Sequence, residues 1–184
     1  RSGMGQYIDI SMTDCAVSLN AMAAAASLAA QEPQEPEKGM LNGGSFYDYY
    51  ETQDGRYFAV GSLEPQFMSG LAAALDLPIL MSKGMSFDPD DRKTVKAALQ
   101  EKFRTQSFSI WQQLFKNLDI CVEPVLGLEE ALSSTLSEQR GWVVDVPLST
   151  NTEQSEPQLA CPIKFSRSQM HYGFIGQKLG EGKW

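Results

Sequence analysis

Residues 46–67 set an alternating aromatic run, a tight turn, a second alternating run and a proline-led helix in immediate succession, and that order leaves little freedom in the local fold. Tyr47, Tyr49 and Glu51 alternate with Phe46, Asp48 and Tyr50, Asp54-Gly55 supplies a turn, and Tyr57-Phe58-Ala59-Val60 resumes an extended aromatic and β-branched stretch. Such a pattern reads as a hairpin. Pro65 suits the first helical turn, where its missing N–H costs nothing, and Phe67, Leu71, Ala74 and Leu75 then repeat with helical period on one face. Glu64 therefore stands at or beside a helix N-cap. A carboxylate at such a strand-to-helix turn, beside free helix N–H groups, is suited to orienting a partner; the alternative is a carboxylate that only complements the helix dipole.

The remaining chain supports an α+β fold class. Tyr7-Ile8-Asp9-Ile10 alternates as a short strand, and residues 12–31 form an Ala-, Leu- and Met-rich helix that Ser11 or Thr13 can cap. That helix is apolar nearly all round and must bury most of its surface, so a close homodimer or swapped packing is expected. Residues 32–42 are a charged, Pro-punctuated linker, residues 43–147 a small α+β domain, and residues 148–184 a return segment. Within the small domain, Asp88-Pro89 opens a helix with Val95, Leu99 and Phe103 on its apolar face and Lys93, Lys96, Gln100 and Lys102 on its polar one. Ser107 or Ser109 caps a further helix containing Ile110, Trp111, Leu114 and Phe115. A strand over 120–122, a helix over 128–136, a strand over 142–146, a polar hairpin loop over 149–158 and a last strand over 159–165 complete the expectation.

Composition narrows the function by exclusion. A net charge of −8 argues against electrostatic binding to nucleic acid or an anionic membrane. Residues 21–30 are too short to span a bilayer and lack the basic lead of a signal peptide. Cys15, Cys121 and Cys161 are odd in number and far apart, which reads as reduced thiols in a cytoplasmic protein and not as a disulfide frame or metal site. No phosphate-binding loop, His-Glu-x-x-His or Cys-x-x-Cys pattern occurs, and a serine triad would need His171 without any Gly-x-Ser-x-Gly elbow. Asn42-Gly43-Gly44-Ser45 is an N–H-rich turn that can approach a thioester or phosphate closely or be a turn alone.

Together with that central run, Gly5-Gln6-Tyr7-Ile8-Asp9-Ile10-Ser11-Met12, Val122-Glu123-Pro124-Val125-Leu126, Leu128-Glu129-Glu130-Ala131-Leu132, Arg140-Gly141-Trp142, Cys161-Pro162-Ile163-Lys164-Phe165-Ser166 and Lys178-Leu179-Gly180-Glu181 resemble the family III CoA-transferases (CaiB/BaiF). The Glu-Pro-Gln-Phe signature is closest to the 2-methylacyl-CoA racemases. The resemblance covers nearly the whole chain and is weaker over 77–114. It implies the family's small domain, preceded by a strand and long helix of its large domain, with the N-terminal CoA-binding Rossmann-like region lying upstream of Gly5.

That resemblance also implies a reaction: exchange of an acyl-CoA α-proton between a His and an Asp on opposite faces of the substrate, with a Glu holding the His. Glu64 matches the Glu as the catalytic residue of this chain, Gly43 and Gly44 lie near the acyl-CoA, and Tyr47 matches a position lining the acyl pocket or is a packed strand aromatic. The family's His and Asp match nothing here; neither His171 nor Asp14 takes their place, and the chain alone is expected to be inactive. No cofactor is implied beyond the coenzyme A of the substrate. CoA transfer through an Asp mixed anhydride, and a catalytically dead relic serving as a binding or assembly module, are the alternative functions.

Overall fold

The alternation of residues 46–60 becomes a hairpin in the computed structural model, which describes residues 3–30, 35–36, 38–41, 43–149 and 152–176. The elements run α1 (Met12–Leu19), α2 (Ala21–Ala30), β1 (Asp48–Glu51), β2 (Tyr57–Val60), α3 (Pro65–Leu75), α4 (Ile79–Lys83), α5 (Pro89–Phe103), α6 (Phe108–Phe115), β3 (Val122–Pro124), α7 (Leu128–Leu132), α8 (Thr135–Arg140), β4 (Val143–Pro147) and β5 (Ser155–Leu159). The backbone divides into two units, Arg1–Val125 and Leu126–Trp184.

In the first unit β2 lies between β1 and β3, antiparallel to both, with Tyr49 opposite Ala59 and Ala59 opposite Glu123. Period two then divides the residues. Phe46, Tyr50, Phe58, Val60 and Val122 point into a core closed by α3, α5 and α6, while Tyr47, Tyr49 and Glu123 face outward. Phe103 is the hub of that core. Its ring stacks on Tyr50 at 5.4 Å and meets Phe58, Trp111 and Phe115 within 6.0 Å, and its carbonyl accepts the Trp111 indole N–H at 2.7 Å. The Tyr50 hydroxyl donates to the Phe46 carbonyl at 2.8 Å, so burial of that ring leaves no unsatisfied polar atom and pushes its pKa far up.

The outer edge of β1 is covered by side chains of α5 and not by another strand. Lys96 pairs with Asp48 at 2.6 Å, Gln100 donates to the Glu51 carbonyl at 3.0 Å, and Arg104 pairs with the Glu51 carboxylate at 2.8 Å. These are successive i, i+4 positions on one face, so a stripe that reads as solvated polar surface closes a sheet edge. The hairpin turn is tied down too. Asp54 accepts the Thr52 hydroxyl at 2.6 Å and the Phe108 N–H at 2.9 Å, which holds its carboxyl below the usual range. Ser107 occupies the N-cap of α6 but makes no cap bond through its side chain, so the capping role expected of Ser107 or Ser109 falls to Asp54 across the fold.

Several local expectations are corrected. Residues 7–10 form no strand, since no ladder partner faces them, and Tyr7, Ile8 and Ile10 are exposed. The single helix over 12–31 is broken at Asn20, whose side-chain amide donates to the Ala16 carbonyl at 2.9 Å in competition with the backbone; Ser11 is the cap, accepting the Asp14 N–H. Met12, Val17, Leu19, Met22 and Leu28 on these helices are exposed. In α3 the buried set is Met68, Leu71, Ala72 and Leu75, a strict i, i+3, i+4, i+7 face, which leaves Phe67 half-buried. In α6 Phe108, Trp111 and Phe115 turn inward, while Ile110 and Leu114 are exposed. The third strand begins at Val122 and not at Ile120, because Cys121 sits in left-handed backbone at φ 49°.

In the second unit the helix expected over 128–136 splits where Ser133 ends α7 and the Ser134 hydroxyl caps α8. The strand expected over 159–165 lies earlier, as β5 antiparallel to β4, and stops before the Cys161-Pro162 step; Pro162 has no N–H for a ladder. Val146 and Ser137 are the buried side chains among the described residues of this unit. The expected linker over 32–42 falls largely outside the described residues, as do Asn42 and the motif at 178–181.

Because Phe103 joins four other rings, Phe103→Ala should lower stability by about 3–5 kcal/mol in urea unfolding. A loss below about 1 kcal/mol would show that the ring cluster is not the keystone of this core.

Candidate functional site

The outer face of the three-stranded sheet is hollow because its middle strand carries small residues there. Ala59, and Gly61 just beyond β2, lie between the tyrosines of the β1 side and Cys121 and Glu123 of the β3 side. The result is a trough of about 770 Å³, lined on its polar side by Asp48, Glu64, Lys96, Cys121 and Glu123.

Glu64 reaches this trough from the junction of β2 and α3. The connection is pinned by the buried Ser62 hydroxyl, which donates to the Ile120 carbonyl, by Leu63 N–H to the Gly61 carbonyl at 2.9 Å, and by Met68 N–H to the Glu64 carbonyl at 2.9 Å. Glu64 is the N-cap residue of α3, yet its carboxylate makes no cap hydrogen bond. The side chain therefore lines the cavity instead of being consumed by its own helix.

Tyr47 is set by a short relay. Ser45 donates its hydroxyl to the Met40 carbonyl at 2.6 Å and accepts the Tyr47 N–H at 3.1 Å. The ring then lies over Gly61, where an added Cβ would stand 3.3 Å from Tyr47 Cε2. Gly61 is thus what allows the ring to lie flat along the trough wall. Its N–H donates to the Cys121 carbonyl at 2.8 Å, extending the ladder through the left-handed residue.

Gly43 and Gly44 differ in reach. Gly43, its carbonyl accepting Lys96 Nζ at 2.6 Å, lines both the trough and an adjoining cleft of about 500 Å³ bordered by Lys38, Arg92, Lys93 and Lys96, whereas Gly44 lines the cleft and not the trough. A Cβ at Gly44 would collide with the Lys38 and Gly39 carbonyls, so this glycine is required for close passage of the chain. Asp14, on α1, does not line the trough, and His171 belongs to the second unit. Among the described residues no group of three or more His, Cys, Asp or Glu is placed to hold a metal ion, and no helix is long and apolar enough to cross a membrane.

Lys96, Cys121, Glu123 and the two small residues of the floor escaped the sequence reading. The floor had a signal, small side chains at alternate positions beyond a run of large ones; Lys96 had none, since it sits on what reads as a solvated helix face. Partial desolvation, then the carboxylates of Glu64, Asp119 and Glu123, push the Cys121 thiol up.

A small α+β domain with an acid-bearing trough on the open face of its sheet is the class of structure these elements define. The profile of CoA-transferase family III matches residues 1–180, and the chain belongs to that family. It is 33% identical over 169 residues to the alpha-methylacyl-CoA racemase of Homo sapiens, covering 89% of this chain and 41% of that protein. The corresponding Mus musculus racemase is 34% identical over 146 residues, covering 76% of this chain and 37% of the relative. The chain thus spans about two fifths of the length of these curated relatives. Its fold is similar to the crystal structure of a CAIB/BAIF family protein from Brucella suis, with a TM-score of 0.70 at 21% identity over 98% of this chain and 47% of that one.

With Cys15 and Cys161 replaced by Ser, alkylation of Cys121 should show a midpoint above the ordinary thiol value of 9.0, and Glu64→Gln should lower it. A midpoint indifferent to Glu64 would place that carboxylate away from the trough.

Proposed function

We propose that this chain supplies the acid-bearing wall of an acyl-CoA site, in an enzyme that racemises 2-methylacyl-CoA thioesters by 1,1-proton transfer. The observation that carries the reading is that Glu64, Tyr47 and Gly43 open onto one trough while the Glu64 carboxylate is left free of capping. The racemase names of the curated relatives support the reaction class.

The chemistry sets what such a wall must do. Thioester α-protons are weakly acidic, so the site must stabilise an enolate and hold a base on either face of the substrate. The one histidine of this chain, His171, matches no catalytic position of the family, so the imidazole is assigned to a segment outside this one. A carboxylate accepting a hydrogen bond from that ring fixes its tautomer and raises its basicity, which is the role assigned to Glu64. The carboxylates of Glu64 and Glu123 in the trough lining favour a cationic imidazolium there as the proton is taken up. The match of the Glu-Pro-Gln-Phe turn to the racemase signature favours racemisation over CoA transfer between carboxylic acids, in which an Asp attacks the thioester carbonyl to give a mixed anhydride.

In an enzyme carrying this segment together with the family's His and Asp, Glu64→Gln should lower α-proton exchange with deuterated water by ~10²-fold, whereas the 184-residue chain alone should show none. An unchanged rate in the variant, or clear turnover by the isolated chain, would contradict the assignment.

A further inference from the structure

We propose that Lys96 is a positioning residue of the trough, holding the Gly43 peptide at the rim where a thioester enters, an inference that rests on the acyl-CoA reading of this site. An ammonium group has three N–H donors, and here two are spent on partners from different elements: Asp48 Oδ2 of β1 and the Gly43 carbonyl, each at 2.6 Å. Both partners line the trough, as does Lys96 itself.

The helix that presents Lys96 is a fixed post. Val95 and Leu99, its neighbours on α5, are fully buried beside Phe103 in the aromatic core, so the Lys96 stem leaves from backbone that does not shift with the loop. The same peptide is held on its opposite side, where the Gly44 N–H donates to the Gly39 carbonyl at 3.1 Å, and the next residue, Ser45, is bonded to Met40. Between these two anchors stands Gly43, at φ 92°, a conformation open to glycine and little else. Lys96 holds the carbonyl side of the Gly43–Gly44 peptide, opposite the N–H bond to Gly39, and so ties the rim to α5.

Lys96 is also the one cation among the described residues lining the trough, against the carboxylates of Asp48, Glu64 and Glu123. It therefore fixes the rim and offsets negative charge on the side from which an anionic acyl-CoA approaches. Loss of the ammonium frees the rim and leaves Asp48 unpaired at the entrance. The consequence falls on substrate positioning and not on the proton-transfer step itself.

The test uses the enzyme that carries this segment, a non-reacting acyl-CoA thioether as binding probe, and KM and kcat for α-proton exchange. Lys96→Met should raise Kd and KM about tenfold while kcat stays within about threefold, and Lys96→Arg should restore most of the loss. Asp48→Asn should weaken binding less than Lys96→Met, since it loosens the same clamp but also removes a negative charge from the entrance, and the double variant should be no worse than Lys96→Met alone. Equal binding by wild type and Lys96→Met, or additive losses in the double variant, would overturn the assignment. Where a variant melts well below wild type, the Gly43 amide resonance decides instead: an unshifted signal in Lys96→Arg with a displaced one in Asp48→Asn supports the clamp, and unshifted signals in both refute it. If wild type itself does not bind the thioether, the acyl-CoA reading of the trough falls and takes this inference with it; if wild type binds and Lys96→Met binds equally, only the role of Lys96 falls.

Discussion

The middle strand of the sheet has to satisfy two demands at once, and everything else in the first unit follows from how it does so. Inward it must fill space: Phe58 and Val60 are buried, and the contacts of Phe58 with Phe103, Phe108 and Phe115 join α5 and α6 to the sheet. Outward it must leave space: Ala59 and Gly61 keep the solvent face low between the tyrosines and Cys121 with Glu123. The same alternation that stabilises the fold therefore carves the cavity. A large residue at either outward position would leave the core intact and close the trough.

A second consequence concerns how a small sheet remains in place with one face uncovered. Its edge at β1 is closed by Lys96 and Gln100 of α5 and by Arg104 at its C-cap, so the helix caps the ladder without lying across the open face. Asp48 and Lys96 are each about one third exposed (31% and 32%), so as a surface ion pair they contribute under about 1 kcal/mol to stability. Their importance is positional. Core burial around Phe103 sets the helix, and the helix sets the rim of the trough.

Much of this was legible in the residues and some was not, for physical reasons. The hairpin, the Pro65 helix, the Asp88 cap and the Val95, Leu99 and Phe103 face follow from local rules, with no need of distant partners. Glu64 could be placed at a helix N-terminus from the order of its neighbours, and the structure adds that its carboxylate is not used as a cap. What escaped depends on contacts between distant segments: Asp54 capping α6 across 54 positions, Lys96 reaching Gly43 across 53, and Cys121 turned to left-handed backbone. Periodicity assigns faces, but it does not say that a polar face will close a sheet edge. The strand expected at residues 7–10 failed for the same reason, because alternation predicts an extended segment whereas a strand also needs a neighbour.

The central claim is that the hollow outer face of the sheet, and not the basic cleft beside it, receives the substrate. Ala59→Leu fills that hollow from a strand position that tolerates a larger side chain and leaves the aromatic core untouched. Isothermal titration of an acyl-CoA thioether into the enzyme carrying this segment is the direct measurement. The account predicts that Ala59→Leu abolishes binding while the melting temperature stays near that of wild type; binding of undiminished affinity would contradict it.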